Sequence, residues 1–106
     1  LRHLVPVMLQ PEEQADLGIE GIRYFLVAGQ RPNRQLTFMH EYYAPGSDSG
    51  EEMLSHEGEE SGVVIRGQVE VTVGSQCKLI GPGEAYYFDC RLPHRFRNIG
   101  TEDASW

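Results

Sequence analysis

Cysteine is scarce in this chain: two residues, Cys77 and Cys90, in 106. They form neither a CxxC pair nor part of a Cys/His zinc spacing, and a small secreted scaffold would carry more. Two free thiols in a reducing cytosol are therefore expected. Basic side chains are also few, nine against sixteen acidic ones for a net charge of −7, which makes the chain by itself a poor grip on phosphate backbones. No apolar run approaches the ~20 residues of a membrane span, and no basic-then-apolar leader opens the chain. Helical periodicity is nearly missing, with only a hint of a turn over 12–17. Nothing resembles a nucleophile triad, and Gly81-Pro82-Gly83 lacks the spacing and the following helix of a phosphate-cradling loop. What is there argues against disorder: aromatic residues and regular Val/Ile alternation can build a packed core. A length of 106 residues allows one domain.

Short β-branched and aromatic runs separated by turn residues fill the chain. Strands are expected over 21–27, 36–43, 62–65, 69–73, 77–80, 85–88 and 95–99. Leu36, Phe38, His40 and Tyr42 fall on one face of the second, and Val69, Val71 and Val73 alternate with Glu70 and Thr72 in the fourth. Gly67 separates the third and fourth, and Gly74-Ser75 ends a hairpin. About seven strands at this spacing predict an all-β sandwich or barrel with an internal pocket.

The segment His56-Glu57-Gly58-Glu59-Glu60-Ser61-Gly62-Val63-Val64-Ile65-Arg66-Gly67 sets a His and a Glu four apart, with a Gly seven further on. Gly83 precedes His94 by eleven residues, and Asn98 follows His94 by four. These two segments resemble the paired motifs of the cupin superfamily, a double-stranded β-helix or jelly-roll barrel. The resemblance implies that His56, Glu60 and His94 converge inside the barrel. Leu54 stands where a full cupin metal site has another His, and Asp89 and Arg91 replace the usual proline and glycine of the second motif. The three remaining donors are those of a two-His-one-carboxylate metal site, for which Fe, Zn, Mn or Ni are the candidates. They equally suit a metal-free pocket for an organic ligand.

Arg31-Pro32-Asn33-Arg34, Tyr43-Ala44-Pro45-Gly46, Gly50-Glu51 and then the His56 motif, in that order, resemble the sensor domain of bacterial XRE-family helix-turn-helix–cupin transcriptional regulators. The likeness is to members that govern polyamine use. It implies a single cupin domain over 1–106, the C-terminal sensor and dimerisation piece of a longer cytoplasmic protein. DNA would be read by an N-terminal helix-turn-helix absent from this chain. Leu1 in place of Met, and an end at Trp106 just after a polar turn, fit an excised piece.

A diamine needs carboxylates at its ends and apolar or aromatic walls, since ammonium groups sit favourably over aromatic faces. Asp48, Glu51, Glu52, Glu57, Glu59 and Glu60 lie within thirteen residues free of basic ones. All but Glu60 read as a solvated face. Glu60 enters a hydrophobic strand, where a carboxylate is costly unless paired. The expected ligand-binding set is Glu60, His56, His94, Tyr42 and Tyr86, with either Tyr86 and Phe88 or Tyr87 facing inward. His40 reads as a satisfied core or interface histidine. Arg91, Arg95 and Arg97 are expected to pair with carboxylates rather than with DNA, and Asn98, Gly67 and Gly83 to be structural. The alternative function is a small non-haem metal-dependent enzyme built on His56, Glu60 and His94.

Overall fold

A computed structural model describes residues 7–50 and 57–106. Among them the only helical element is a 3-10 turn at Pro11–Glu13; the rest of the regular structure is strand. The strands are β1 (Ala15–Asp16), β2 (Ile22–Leu26), β3 (Met39–Tyr43), β4 (Glu59–Val63), β5 (Val69–Val73), β6 (Gln76–Ile80), β7 (Ala85–Asp89), β8 (His94–Arg97) and β9 (Ala104–Ser105). The all-β barrel expected from turn spacing is what forms.

Two sheets enclose the core. One runs β1-β2-β3-β9 and continues through backbone bonds between Ile65, Arg66 and Ser105 into the β4-β7 ladder. The other runs β6-β5-β8 and continues through Ser49 and Ser47, which bond the backbone of Phe96 and Asn98. β4 and β5, which the sequence presents as neighbours across Gly67, lie in different ladders: β4 pairs with β7, and β5 with β6 and β8. The chain crosses over at Gly67 (φ +71°), where a Cβ would collide with the Asp103 carbonyl. Gly74, at φ +57°, closes the tight β5–β6 hairpin.

The core sits between the sheets. Ile22 and Tyr43 from the first sheet meet Val69, Val71 and Phe96 from the second, with Trp106 closing the end. β3 corrects the expected face. The strand begins at Met39, and the buried side is that of Tyr43, 1% exposed, while Leu36 and Phe38 are 68% and 60% exposed. Pairing of β3 with β2 on one side and β9 on the other turns Glu41 and Tyr43 toward Trp106, so the more apolar-looking face is outside.

Candidate functional site

β4 and β7 bring the site together. Their register sets Glu60 opposite Phe88 and Gly62 opposite Tyr86. Alternation then turns Glu60, Tyr86 and Phe88 inward, leaving Tyr87 67% exposed. Tyr86 packs 5.7 Å from Phe88 and 5.1 Å from Phe96, ring centre to ring centre. Gly62 makes room for it: a Cβ there would lie 2.5 Å from the Tyr86 hydroxyl. Burial, and then the charges of Glu60 and Glu41, push the Tyr86 phenol far up, and it also hydrogen-bonds to Glu60.

His94 opens β8, buried, with its ring 4.9 Å from Phe88. Its Nδ1 lies 2.8 Å from the Leu92 carbonyl. A carbonyl only accepts, so Nδ1 carries the hydrogen. Glu60, Tyr86 and His94 thus gather around Phe88. His56, and with it one of the three metal candidates, lies outside the described residues, as does Leu54. Among the described residues no group of three or more His, Cys, Asp or Glu side chains is placed to hold a metal ion.

Tyr42 does not join this group. It points away from the interior with His40, whose Nδ1 it meets at 3.3 Å, and packs edge-on against Phe25. His40 is not fully satisfied: its Nε2 is buried without a hydrogen-bond partner. The arginines pair as expected. Arg91 binds Asp89 at 2.6 Å, Arg97 binds Glu70 at 2.7 Å, and Arg95 binds Asp48 through two bonds. Both cysteines are free, Cys77 exposed and Cys90 buried.

Two residues absent from the sequence-derived site stand beside it. Glu41 lies on the inward side of β3, and Trp106 Nε1 donates to its Oε2 at 3.1 Å. The two backbones also bond each other, Glu41 N to Trp106 O at 2.9 Å and Trp106 N to Glu41 O at 3.1 Å. Burial first, and then the charge of Glu60, lift the Glu41 carboxyl to about 8. The Tyr24 and Tyr43 hydroxyls meet at 3.0 Å on the same side, and burial pushes both phenols up. No local signal marked Glu41, because the apolar run of Leu36 and Phe38 shares its face with Tyr42 and leaves Glu41 on the opposite one.

The edges of β6 and β7, unpaired among the described residues, flank a groove of about 770 Å³, whose lining includes Val71, Val73, Ile80, Tyr86, Phe88 and Leu92. Tyr86 belongs both to this groove and to the Glu41–Glu60 surroundings. Among the described residues the arrangement is a barrel with an acidic, aromatic-walled interior and a groove between β6 and β7.

A barrel of two such sheets, with Glu60 and His94 turned inward, is the architecture of the cupins, and the cupin domain family matches residues 39–106. The chain belongs to that family. It is 33% identical over 95 residues, 90% of its length, to the HTH-type transcriptional regulator PuuR of Escherichia coli strain K12. It spans about half of that relative, 51%. Among solved structures it resembles the cupin domain of an XRE family transcriptional regulator from Enterobacter cloacae (TM-score 0.70, 22% identity, 81% of this chain and 90% of that one). It also resembles a predicted oxalate decarboxylase from Thermotoga maritima (TM-score 0.77, 19% identity, 93% of each chain). No helix among the described residues is long and apolar enough to cross a membrane.

Proposed function

We propose that the chain is the effector-sensing and dimerising domain of a cytoplasmic bacterial transcriptional regulator, and that it binds a small amine or polyamine inside the barrel. The observation that carries this reading is the inward carboxylate of Glu60, set among Tyr86, Phe88 and the buried His94. Likeness to a helix-turn-helix regulator over 90% of the chain supports the regulatory role. DNA binding then belongs to a separate helix-turn-helix domain, and effector binding acts by shifting the geometry of the dimer.

Calorimetric titration of 1,4-diaminobutane into the chain, as purified and after chelator treatment, tests the reading. Saturable binding in both samples is expected. Glu60→Gln should weaken it tenfold or more with little change in melting temperature. Unchanged affinity removes Glu60 from the site, and no binding to the unaltered chain discards the amine effector.

A second reading, a metal-dependent cupin enzyme using His56, Glu60 and His94, has one observation in its favour. A His whose Nδ1–H is held by a carbonyl is oriented to ligate through Nε2. The metal would supply Lewis-acid chemistry at open coordination positions. Elemental analysis after incubation with iron, zinc, manganese or nickel decides this: retention of one equivalent, lost in His94→Ala, supports it, and no retention removes it.

A further inference from the structure

Gly62 is an unexpected residue for the middle of a ladder. A glycine inside a strand weakens it unless something approaches closely, and Gly62 is not among the glycines with positive φ, so no turn demands it. What demands it is a ring. Tyr86 pairs directly opposite on β7 and lies across it. A Cβ on Gly62 would fall 2.5 Å from the Tyr86 hydroxyl, 2.6 Å from Cζ and 2.8 Å from Cε2. The missing side chain is thus the seat of the phenol.

That ring stands on a boundary. Tyr86 and Phe88 line the groove between β6 and β7, whereas Glu60, Gly62, Phe96 and Trp106 do not. Behind the two rings lies Phe96, 5.1 Å from Tyr86 and 6.3 Å from Phe88, and Trp106 stacks on Phe96 at 5.6 Å. Phe88 is buried and backed by the His94 ring at 4.9 Å. Tyr86 is only half-buried, with the groove on its free side. A rotation about its own side-chain bonds would carry the ring from Gly62 into that groove, with no change in the backbone of β7.

We propose that Tyr86 is the gate of the barrel: seated over Gly62 it closes the groove off from the interior, and swung into the groove it lets a solute pass. Gly62 is the positioning residue, since it makes the closed seat possible. This adds a route of entry to the sensor reading and takes from that reading only that something enters.

Acrylamide quenching of Trp106 tests the gate without a ligand, because this is the chain's single tryptophan and it is 6% exposed. The unaltered chain should be quenched slowly. Tyr86→Ala removes the gate, and its bimolecular quenching constant should rise about threefold or more; Tyr86→Phe keeps the ring and should stay near the unaltered value. Gly62→Ala denies the ring its seat and should approach Tyr86→Ala. The double variant should add nothing further, because Gly62 acts only through Tyr86. Val69→Ala truncates the buried core and leaves the gate in place, so it should not raise the constant. Thermal melts establish that each variant folds, and if Gly62→Ala does not, the Ala and Phe variants of Tyr86 decide. Quenching that is unchanged in Tyr86→Ala, or matched by Val69→Ala, overturns the gate. So does an unaltered chain quenched as fast as free N-acetyltryptophanamide. Additive effects of Gly62→Ala and Tyr86→Ala overturn the role of Gly62. The amine reading is tested by the titration above, so either can fail while the other stands.

Discussion

Asn98 shows how much one buried side chain can hold. It is fully buried, its Nδ2 donates to the carbonyls of Tyr43 at 2.9 Å and Glu102 at 2.8 Å, and its Oδ1 accepts from Gly100 N at 2.9 Å. One amide therefore pins the end of β3 to the turn that leads into β9. Without it the Tyr43 carbonyl loses its partner in a place water reaches poorly, at about 1–3 kcal/mol if left wholly unsatisfied, while the Glu102 carbonyl and the Gly100 N–H belong to exposed residues that water can reach. Partial relaxation leaves an expected loss of about 2–3 kcal/mol for Asn98→Ala. In a domain of this size that lowers the melting temperature by roughly 10 °C or more, measurable by circular dichroism. A change under about 2 °C would show that water replaces the amide without cost. The consequence reaches the site, because this turn sets where β9 and Trp106 lie against Glu41.

At the scale of the element, β5 was legible because period-two alternation and burial agree, with Val69 and Val71 buried, whereas for β7 alternation left two faces open and the fold turns Phe88 in and Tyr87 out. β3 was misread because alternation fixes which residues share a face, not which face is covered. Leu36, Phe38, His40 and Tyr42 looked like the core side, but the cover comes from Trp106, 65 residues on from Glu41, and no local pattern reports such a contact. The same gap hid Glu41 and gave Tyr42 a place in the site. Motif spacing singled out Glu60 and His94, which the fold turns inward and buries respectively, and the excess of acid announced that the arginines would pair with carboxylates. That Asp48 is one of the partners was hidden, because it sits in an acidic run that reads as a solvated face.

The Asp48–Arg95 pair ties the segment before the undescribed stretch to β8. Both side chains are 24% exposed, and Arg95 Nε donates to Asp48 Oδ1 at 2.9 Å. Hydrogen bonding from Arg95 is the main reason the Asp48 carboxyl is held below the usual aspartate range. A carboxyl depressed on folding contributes stability above its unfolded pKa, and that stability is lost as the pH falls through the folded value. Asp48→Asn should therefore cost about 1–3 kcal/mol at pH 7, and the two proteins should converge in urea melts as the pH drops below the aspartate range. A gap that stays constant down to pH 2 would mean that packing, not charge, is what Asp48 supplies.

At the scale of the whole molecule, the first sheet carries an outward stripe that the described residues leave uncovered. Val63, Ile65 and Tyr87 are 54%, 63% and 67% exposed. They share the face opposite Glu60 and Tyr86, because Ser61 pairs with Tyr87 and Val63 with Ala85. Contiguous exposed apolar surface on a small domain marks an interaction site more often than isolated residues do. In the proposed regulator that site belongs to a second copy, since self-association of the sensor is what would couple two DNA-reading domains. A symmetric contact would place the stripe of one protomer on the same stripe of its partner. A charge introduced at its middle would then be repeated across the axis and desolvated twice. Sedimentation of the chain at tens of micromolar should give a dimer, and Ile65→Glu should give a monomer with its melting cooperativity intact. Because Ile65 is outward and Glu60 inward, the monomeric variant should still bind the amine with affinity close to that of the unaltered chain. A dimer that survives Ile65→Glu moves the interface elsewhere, and an unaltered chain that stays monomeric at that concentration removes dimerisation from the function proposed for this domain.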